Sequence, residues 1–468
     1  MPFTDIGIPA PNKRARYKLC GRHCCSRLHS HQLRQGLTNM HFPVTLLAFV
    51  ICTIFITETV ASANGAAHKL KILRARSAGK SRQARISQLA KNNATAAAMM
   101  VLDIPGINNT DAGIWEFKNR KGVDDFDHQV PWGKGVRYHK IPSVSGTFDS
   151  GFGKLPKKFG KFALNRTVVK SNKHGTAKIP VFMNRDFDPN KIRKAMVVFP
   201  SMWRDSWRFA NVLGNVQELA KNQSKGSAED GRVLIMAPMF LTKEDMEKGA
   251  GSDGDIFFKR QGWSVAGTSR GPKHFTGISS FTIVDQLVED LLDRSKYPHL
   301  EDLIMIGHSM GGQANLRYAM FKKQSDKRMR FWIGNPGKYT YLTKERPMDK
   351  SSCDDYDKWP FGIGNHKSLP KYIKSAVKKG RKSLMSSFRN QRIHYFYGLN
   401  DNGGTSKECT HNVQGKNRLQ RGAFWIVGLS KHSDGFPSSH EVSYVEGTAH
   451  DAYPMLASPP SLNYLYED

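Results

Sequence analysis

Residues 303–313 read LIMIGHSMGGQ, and this stretch decides the fold. It opens with a short apolar run, Leu303–Ile306, which is typical of a strand covered on both faces. The sequence Gly307-His308-Ser309-Met310-Gly311 follows directly, and helical spacing begins at Gln313. Glycine two positions on either side of a serine allows the tight strand-to-helix turn that lifts a nucleophile above a sheet. The stretch therefore predicts Ser309 as a catalytic nucleophile. The alternative interpretation is a tight glycine turn that happens to hold a serine.

Strand-like and helical segments alternate over most of the chain. Helical spacing covers Trp207–Ala220 and Thr282–Leu292, whereas residues 239–279 and 338–390 interrupt the alternation. The further strand-like runs are Thr167–Lys170, Ile179–Met183, Ala195–Phe199, Val233–Ala237, Arg330–Ile333, Ile393–Tyr397 and Val442–Val445. Such alternation predicts an α/β protein with a mostly parallel central sheet, helices on both faces and excursions over the active site. The first two of these runs are expected to form an opening hairpin.

Two later loops offer an acid and a base for the serine. Asp401 follows the strand Ile393–Tyr397, and His450 follows the last strand, 18 residues from the chain end. In the strand–turn–helix architecture the acid and then the histidine come after the nucleophile, each on a loop behind a later strand. Residues 334–337 (GNPG), behind another strand, contain no rival carboxylate. We therefore predict a triad of Ser309, Asp401 and His450, although Asp401 also fits a simple turn.

The triad predicts a defined division of roles. His450 accepts the Ser309 proton, Asp401 fixes the imidazole tautomer, and Ser309 attacks an acyl carbonyl. The backbone N–H of Met310 is expected to be one donor to the developing oxyanion. By position, the N–H of Met202, in the loop after Ala195–Phe199, is expected to be the other.

The N-terminal residues 1–63 predict an export signal. The apolar run Val44–Thr57 is too short to span a membrane, and it precedes Ala61-Ser62-Ala63, which is typical of a cleavage site. The basic residues in front of it make an unusually long head, so translation from Met40 would give a more ordinary signal. The alternative is a signal anchor that stays in the membrane.

Composition divides the remainder into two parts. Residues 64–112 are rich in Ala, Lys and Arg and predict a basic flexible tail or a propeptide. Residues 113–468 are expected to form the catalytic domain, beginning with an irregular layer.

Cysteine use and glycosylation motifs agree with export. Only Cys353 and Cys409 follow the predicted cleavage site, and in an oxidising compartment they are expected to form a disulfide. Four N-x-S/T sequons also follow it and are candidate glycosylation sites: Asn93, Asn108, Asn165 and Asn222.

The charge is strongly basic, with 71 Lys and Arg against 40 Asp and Glu, a net +31. A field of this sign favours anionic cell-wall polymers or membranes as a surface partner. The basic residues are spread along the chain without a nucleic-acid-binding motif, so no nucleic-acid partner is expected. No compact ligand pattern predicts a metal, and no cofactor is expected.

From Ala195 to His450 the chain resembles secreted fungal α/β-hydrolases of poorly defined specificity. The segments that carry the resemblance are VVFPSMWRDSW, SSFTIVDQLVEDLL, IMIGHSMGGQANLRYA, WIGNPGKYTYL and YGLNDNGG. The resemblance implies the α/β-hydrolase fold and the triad order but no substrate. The sequence thus predicts a secreted serine hydrolase acting on small or polymeric carboxylic esters. The alternatives are an acyltransferase or amidase with the same triad, or a non-catalytic surface-binding protein of this fold.

Overall fold

The computed structural model describes residues 79, 81–106, 139–323 and 326–467. These residues belong to the compact unit Leu73–Asp468. The predicted signal region 1–63, Met40 and the sequon at Asn108 lie outside the described residues.

Most of the strands are short, and those at the centre of the sheet are buried at nearly every position. In chain order they are β1 (Gly146–Thr147), β2 (Gly151–Phe152), β3 (Lys158–Phe159), β4 (Phe162–Ser171), β5 (Gly175–Asn184), β6 (Lys194–Phe199), β7 (Val233–Pro238), β8 (Leu241–Thr242), β9 (Phe257–Phe258), β10 (Ser269–Gly271), β11 (Asp302–His308), β12 (Met329–Gly334), β13 (Ile393–Gly398) and β14 (His440–Val445). All the runs predicted as strands are strands, and the first two form the predicted antiparallel hairpin, β4 with β5.

One large sheet organises the molecule. Its nine strands lie in the order β14-β13-β12-β11-β6-β7-β5-β4-β3. The six from β14 to β7 run parallel, and β5, β4 and β3 continue the sheet antiparallel at one edge. This is the predicted α/β architecture. Strand β11 lies inside the parallel part of the sheet. Strands β13 and β14 precede the predicted acid and histidine. Because parallel strands share direction, they end at the same edge of the sheet as β11.

The helices cover both faces of this sheet. They are α1 (residues 81–90), α2 (Ala94–Leu102), α3 (Ser206–Asn222), α4 (Lys243–Glu247), α5 (Ser280–Leu292), α6 (Met310–Phe321), α7 (Lys371–Val377), α8 (Arg381–Arg389), α9 (Cys409–Asn412), α10 (Arg418–Ser430), α11 (Ala452–Leu456) and α12 (Pro459–Tyr466). The helical spacings predicted within residues 207–220, 282–292 and 313–321 correspond to α3, α5 and α6.

The continuous apolar strands are explained by two cores, one on each face. In β6, Ala195, Val197 and Phe199 belong to the core under α5, α6 and α10. Met196 and Val198 belong to the opposite core, under α3, α11 and α12. A strand buried on both faces needs apolar residues at every position, not at every second one.

The N-terminal helices differ from the flexible tail expected over residues 64–112. In the described part of that segment, Ile86, Ala97, Ala98 and Val101 are buried in the same core as α10. Alanines have little side-chain entropy to lose and allow close helix packing, so an Ala-rich segment can be a packed helix. Residues 81–106 are therefore part of the folded unit.

Among the described residues, no helix is both long enough and apolar enough to cross a membrane.

Candidate active site

Ser309 occupies a strained turn between β11 and α6. Its φ of 58° and ψ of −119° lie outside the regions that L-residues ordinarily adopt. Its N–H donates to the carbonyl of Gly334, and its own carbonyl accepts the N–H of Gln313 (2.9 and 3.0 Å). The strained conformation turns the hydroxyl away from the helix and out over the edge of the sheet.

The glycines around the turn are required by close backbone contacts. A Cβ on Gly307 would lie 2.2 Å from the carbonyl oxygen of Gly311. A Cβ on Gly311 would lie 2.6 Å from the carbonyl oxygen of Pro200 and 2.7 Å from that of Phe199. The first turn of α6 therefore sits directly against the loop that follows β6.

The structure brings the three predicted triad residues together. Nδ1 of His450 donates to Oδ2 of Asp401 over 2.8 Å. Oγ of Ser309 lies 2.8 Å from Nε2 of His450. Because a carboxylate can only accept, Nδ1 carries the proton, and Nε2 is free to accept from the serine hydroxyl. Asp401 and His450 are buried, while Ser309 is partly exposed.

The acid and histidine loops are held to each other by backbone contacts. Asp401 follows β13 in a turn closed by its N–H on the carbonyl of Gly398 (3.0 Å). The N–H of Asn400 donates to the carbonyl of Thr448, two residues before His450 (2.9 Å). Both loops are thus anchored at the ends of neighbouring strands.

A buried arginine, absent from the sequence predictions, shares the acid. Nε of Arg418, the first residue of α10, donates to Oδ1 of Asp401 over 2.7 Å. Nothing in the sequence around Arg418 marks this contact, since it depends on how the chain turns between residues 401 and 418.

Asn335 is a second residue that the sequence did not indicate. It follows β12 with φ of 42°, in the left-handed region that asparagine tolerates. Its Oδ1 accepts the N–H of Gly398, and its Nδ2 donates to the carbonyl of Ala449 (2.9 and 3.0 Å). This side chain joins the end of β13 to the residue before His450, and it lies in the segment 334–337, which contains no carboxylate.

Burial keeps the histidines of the site neutral. Burial lowers the pKa of His450; Asp401 opposes this shift, and the Arg418 cation adds to it. His308 lies against it, with ring centroids 4.9 Å apart. Burial holds the pKa of His308 well below its usual range; a protonated His450 would lower it further, and the Arg418 cation also lowers it. A neutral imidazole is the form that can accept the Ser309 proton.

The two residues predicted as oxyanion donors, Met310 and Met202, lie at the start of α6 and in the turn after β6. Met310 is the first residue of α6, and an N–H at this position has no acceptor within its own helix. Met202 is half-buried in the turn after β6, on the loop that Gly311 touches. Helix N-termini favour a developing negative charge.

The predicted disulfide is present. Cys353 and Cys409 are joined, with their Cα atoms 5.6 Å apart. The bond links the long segment after β12 to α9, whose first residue is Cys409. The loop of chain that the disulfide closes, residues 353–409, therefore contains β13 and Asp401.

The other predicted features have the following places. Asn93, Asn165 and Asn222 are exposed, so their sequons remain candidate glycosylation sites. Within the described ranges, no group of three or more His, Cys, Asp or Glu side chains is arranged to hold a metal ion.

No family model and no curated protein matches the chain. Solved structures similar to it include poly(aspartic acid) hydrolase-1 from Sphingomonas sp. KT-1, which is 16% identical, with 65% of this chain and 98% of that chain covered at a TM-score of 0.43. LpqC, a poly(3-hydroxybutyrate) depolymerase from Bordetella parapertussis, is 16% identical, with 64% and 90% covered at a TM-score of 0.42. The siderophore hydrolase EstB from Aspergillus nidulans is 12% identical, with 70% and 97% covered at a TM-score of 0.34.

These similar structures are hydrolases. In this chain, the features that define the fold are the order and direction of the strands and the turn at Ser309. Those features give the α/β-hydrolase fold that the sequence predicts.

Proposed function

We propose that this chain is a serine hydrolase that cleaves carboxylic esters through an acyl-enzyme intermediate. The observation that carries the proposal is the unbroken line from Ser309 Oγ through His450 to Asp401, with two hydrogen bonds of 2.8 Å. A nucleophile within reach of a neutral base, itself oriented by a buried carboxylate, is the arrangement that activates a serine.

In the first half of the reaction, Oγ of Ser309 attacks the ester carbonyl while its proton passes to Nε2 of His450. The C=O electron pair moves to oxygen, and the resulting oxyanion is stabilised by the N–H groups of Met310 and Met202. The intermediate collapses with loss of the alcohol, which takes the proton from Nε2. Asp401 keeps the proton on Nδ1 in place and stabilises the imidazolium.

In the second half, water replaces the alcohol. His450 accepts a proton from the water as its oxygen attacks the acyl carbon, and the carboxylic acid leaves as the proton returns to Oγ of Ser309. The atoms balance as ester and water giving acid and alcohol. An acyl acceptor other than water would make the same site a transferase.

We further propose that the protein is exported after removal of residues 1–63. A disulfide between Cys353 and Cys409 is expected of a protein that reaches an oxidising compartment. The exposed sequons at Asn93, Asn165 and Asn222 are accessible to glycosylation. The net charge of the chain, +31, fits an anionic cell-wall or membrane environment.

A fluorophosphonate probe and an ester panel of graded acyl length test the catalytic proposal. The probe is expected to label the wild-type protein and the surface variant Ser438→Ala equally, and to leave Ser309→Ala unlabelled. The panel is expected to show hydrolysis with one preferred chain length. A folded wild-type protein that neither reacts with the probe nor cleaves any ester would favour the non-catalytic alternative. Preferential acyl transfer to added alcohol or amine would favour the transferase.

A further inference from the structure

The Asp401 carboxylate has two partners, one on each oxygen. Oδ2 accepts from His450, and Oδ1 accepts from Nε of Arg418 over 2.7 Å. Both side chains of the Arg418–Asp401 pair are more than nine-tenths buried. A buried ion pair of this kind has a fixed geometry, because breaking it would leave an uncompensated charge inside the protein.

The backbone around the pair is built to receive the arginine. The N–H of Arg418 donates to the carbonyl of Gly403, and the N–H of Leu419 donates to the carbonyl of Asp401 (both 3.0 Å). Gly404 adopts φ of +70°, and a Cβ there would lie 2.1 Å from Nη1 of Arg418. The acid loop and the start of α10 thus enclose the guanidinium between them.

The location is electrostatically unusual for an arginine. A cation in the first turn of a helix opposes the helix dipole, which favours anions there. Arg418 nevertheless begins α10, so its favourable interactions come from the carboxylate it contacts and not from the helix.

We infer that Arg418 is a positioning residue of the catalytic apparatus, which occupies Oδ1 of Asp401 and so holds Oδ2 in line with His450. The inference rests on the proposed function. Without Arg418, the carboxylate of Asp401 could rotate about its χ2 bond and present either oxygen to His450, because the preferred values of this torsion are broad and roughly two-fold.

The same contact has a consequence for pH dependence. The charged and titratable groups around His450 are Asp401, Arg418 and Arg421, with His308 against its ring and Asp451 next in the chain. Arg421 points its guanidinium at the carbonyls of Gly337, Gly404 and Gly415.

Arg418 neutralises much of the Asp401 charge, which would otherwise favour the imidazolium. It therefore adds to the lowering of the His450 pKa that burial begins. Removing this cation should raise the His450 pKa, so that activity is lost at a higher pH on the acid side.

The experiment compares pH profiles of kcat/KM for wild type, Arg418→Met and Arg418→Lys on one ester. For Arg418→Met we expect kcat to fall at least tenfold with KM little changed. Its acid-side midpoint should rise by about one pH unit, the scale of a neighbouring-charge effect. Arg418→Lys keeps the charge and is expected to keep the midpoint while recovering only part of kcat.

Arg389→Met is the matched control. Arg389 is also buried and donates to two backbone carbonyls, those of Leu429 and Gly435. Leu429 lies near the far end of α10, roughly 16 Å along the helix from Arg418. This variant is expected to lose stability without moving the midpoint.

An unchanged midpoint in folded Arg418→Met, or an equal shift in Arg389→Met, would overturn the inference. If Arg418→Met does not fold, Arg418→Lys decides: unchanged kcat would show that the guanidinium does not position the acid. Ser309→Ala in the same assay separates the two claims. Wild-type activity in that variant would remove the proposed function itself, whereas loss of activity there leaves the outcome to Arg418.

Discussion

The side-chain amide of Gln83 donates a 2.8 Å hydrogen bond to Oδ1 of Asn400, the residue before Asp401. Its Oε1 accepts the N–H of Gly447, three residues before His450, also over 2.8 Å. One side chain of α1 therefore joins the acid loop to the histidine loop. Ser87 on the same helix donates to the carbonyl of Tyr444 in β14. Helix α1 thus supports both loops from outside the central sheet.

Gln83→Ala is expected to lower kcat about fivefold with little change in KM. Each lost hydrogen bond is worth about 1 kcal/mol, and loosening both loops weakens the alignment of acid and base. Gln88→Ala is the control, because Gln88 is exposed on the same helix. Steady-state kinetics on an ester checks the prediction, and equal kcat in the two variants would contradict it.

His440 should make stability depend on pH. Burial lowers its pKa to about 3. The hydrogen bond with the backbone of Phe388 opposes this shift, and the Arg389 cation adds to it. The unfolded chain binds a proton at His440 from about pH 6.5 downward, so stability is lost as pH falls below that value. Glutamine does not titrate. The stability advantage of wild type over His440→Gln is therefore expected to shrink by about 1.4 kcal/mol per pH unit between pH 6 and pH 4.

Urea unfolding of both proteins at several pH values measures this difference. The same substitution at exposed His299 is the control. A difference between wild type and His440→Gln that stays constant with pH would refute the assignment of a buried neutral His440.

The Cys353–Cys409 disulfide joins two residues that are 56 positions apart in the sequence. Removing it by Cys353→Ser with Cys409→Ser is expected to lower the free energy of unfolding by about 4 kcal/mol, on the chain-entropy model. Denaturant unfolding with and without reductant measures this. A loss below 1 kcal/mol, or a reductant effect in the double variant, would speak against the bond as the cause.

Export is tested at the N-terminus. Protein recovered from the medium is expected to begin at Asn64, directly after Ala61-Ser62-Ala63, unless it is trimmed further. N-terminal sequencing is the measurement. Peptides from upstream of Ala63 in the secreted protein, or retention of the chain in membranes, would favour the signal anchor.

The central sheet was predictable because its strands are buried on both faces and therefore read as continuous apolar runs. The strand-to-helix turn at Ser309 was predictable for a steric reason. A Cβ at Gly307 or Gly311 would come within 3 Å of backbone atoms, so both positions need glycine, and this leaves a recognisable spacing in the sequence. Asp401 and His450 could be located because chain order and strand ends restrict where an acid and a base can lie.

The parts that sequence reasoning missed depend on contacts between distant segments. Arg418 meets Asp401 only because the loop between them folds back, and Asn335 acts through Gly398 and Ala449. Helix α2 is only weakly amphipathic, so the positions of its alanines did not indicate which face is buried. In each case the partner, not the residue itself, determines the role.

The most direct test of the whole account is kcat/KM for Ser309→Ala measured beside Ser438→Ala on the best ester of the panel. We expect a fall of at least a thousandfold for Ser309→Ala, with an unchanged circular dichroism spectrum, because loss of a triad nucleophile removes the acyl-enzyme route. Ser438→Ala should match wild type. Folded Ser309→Ala with activity within tenfold of wild type would contradict the central claim.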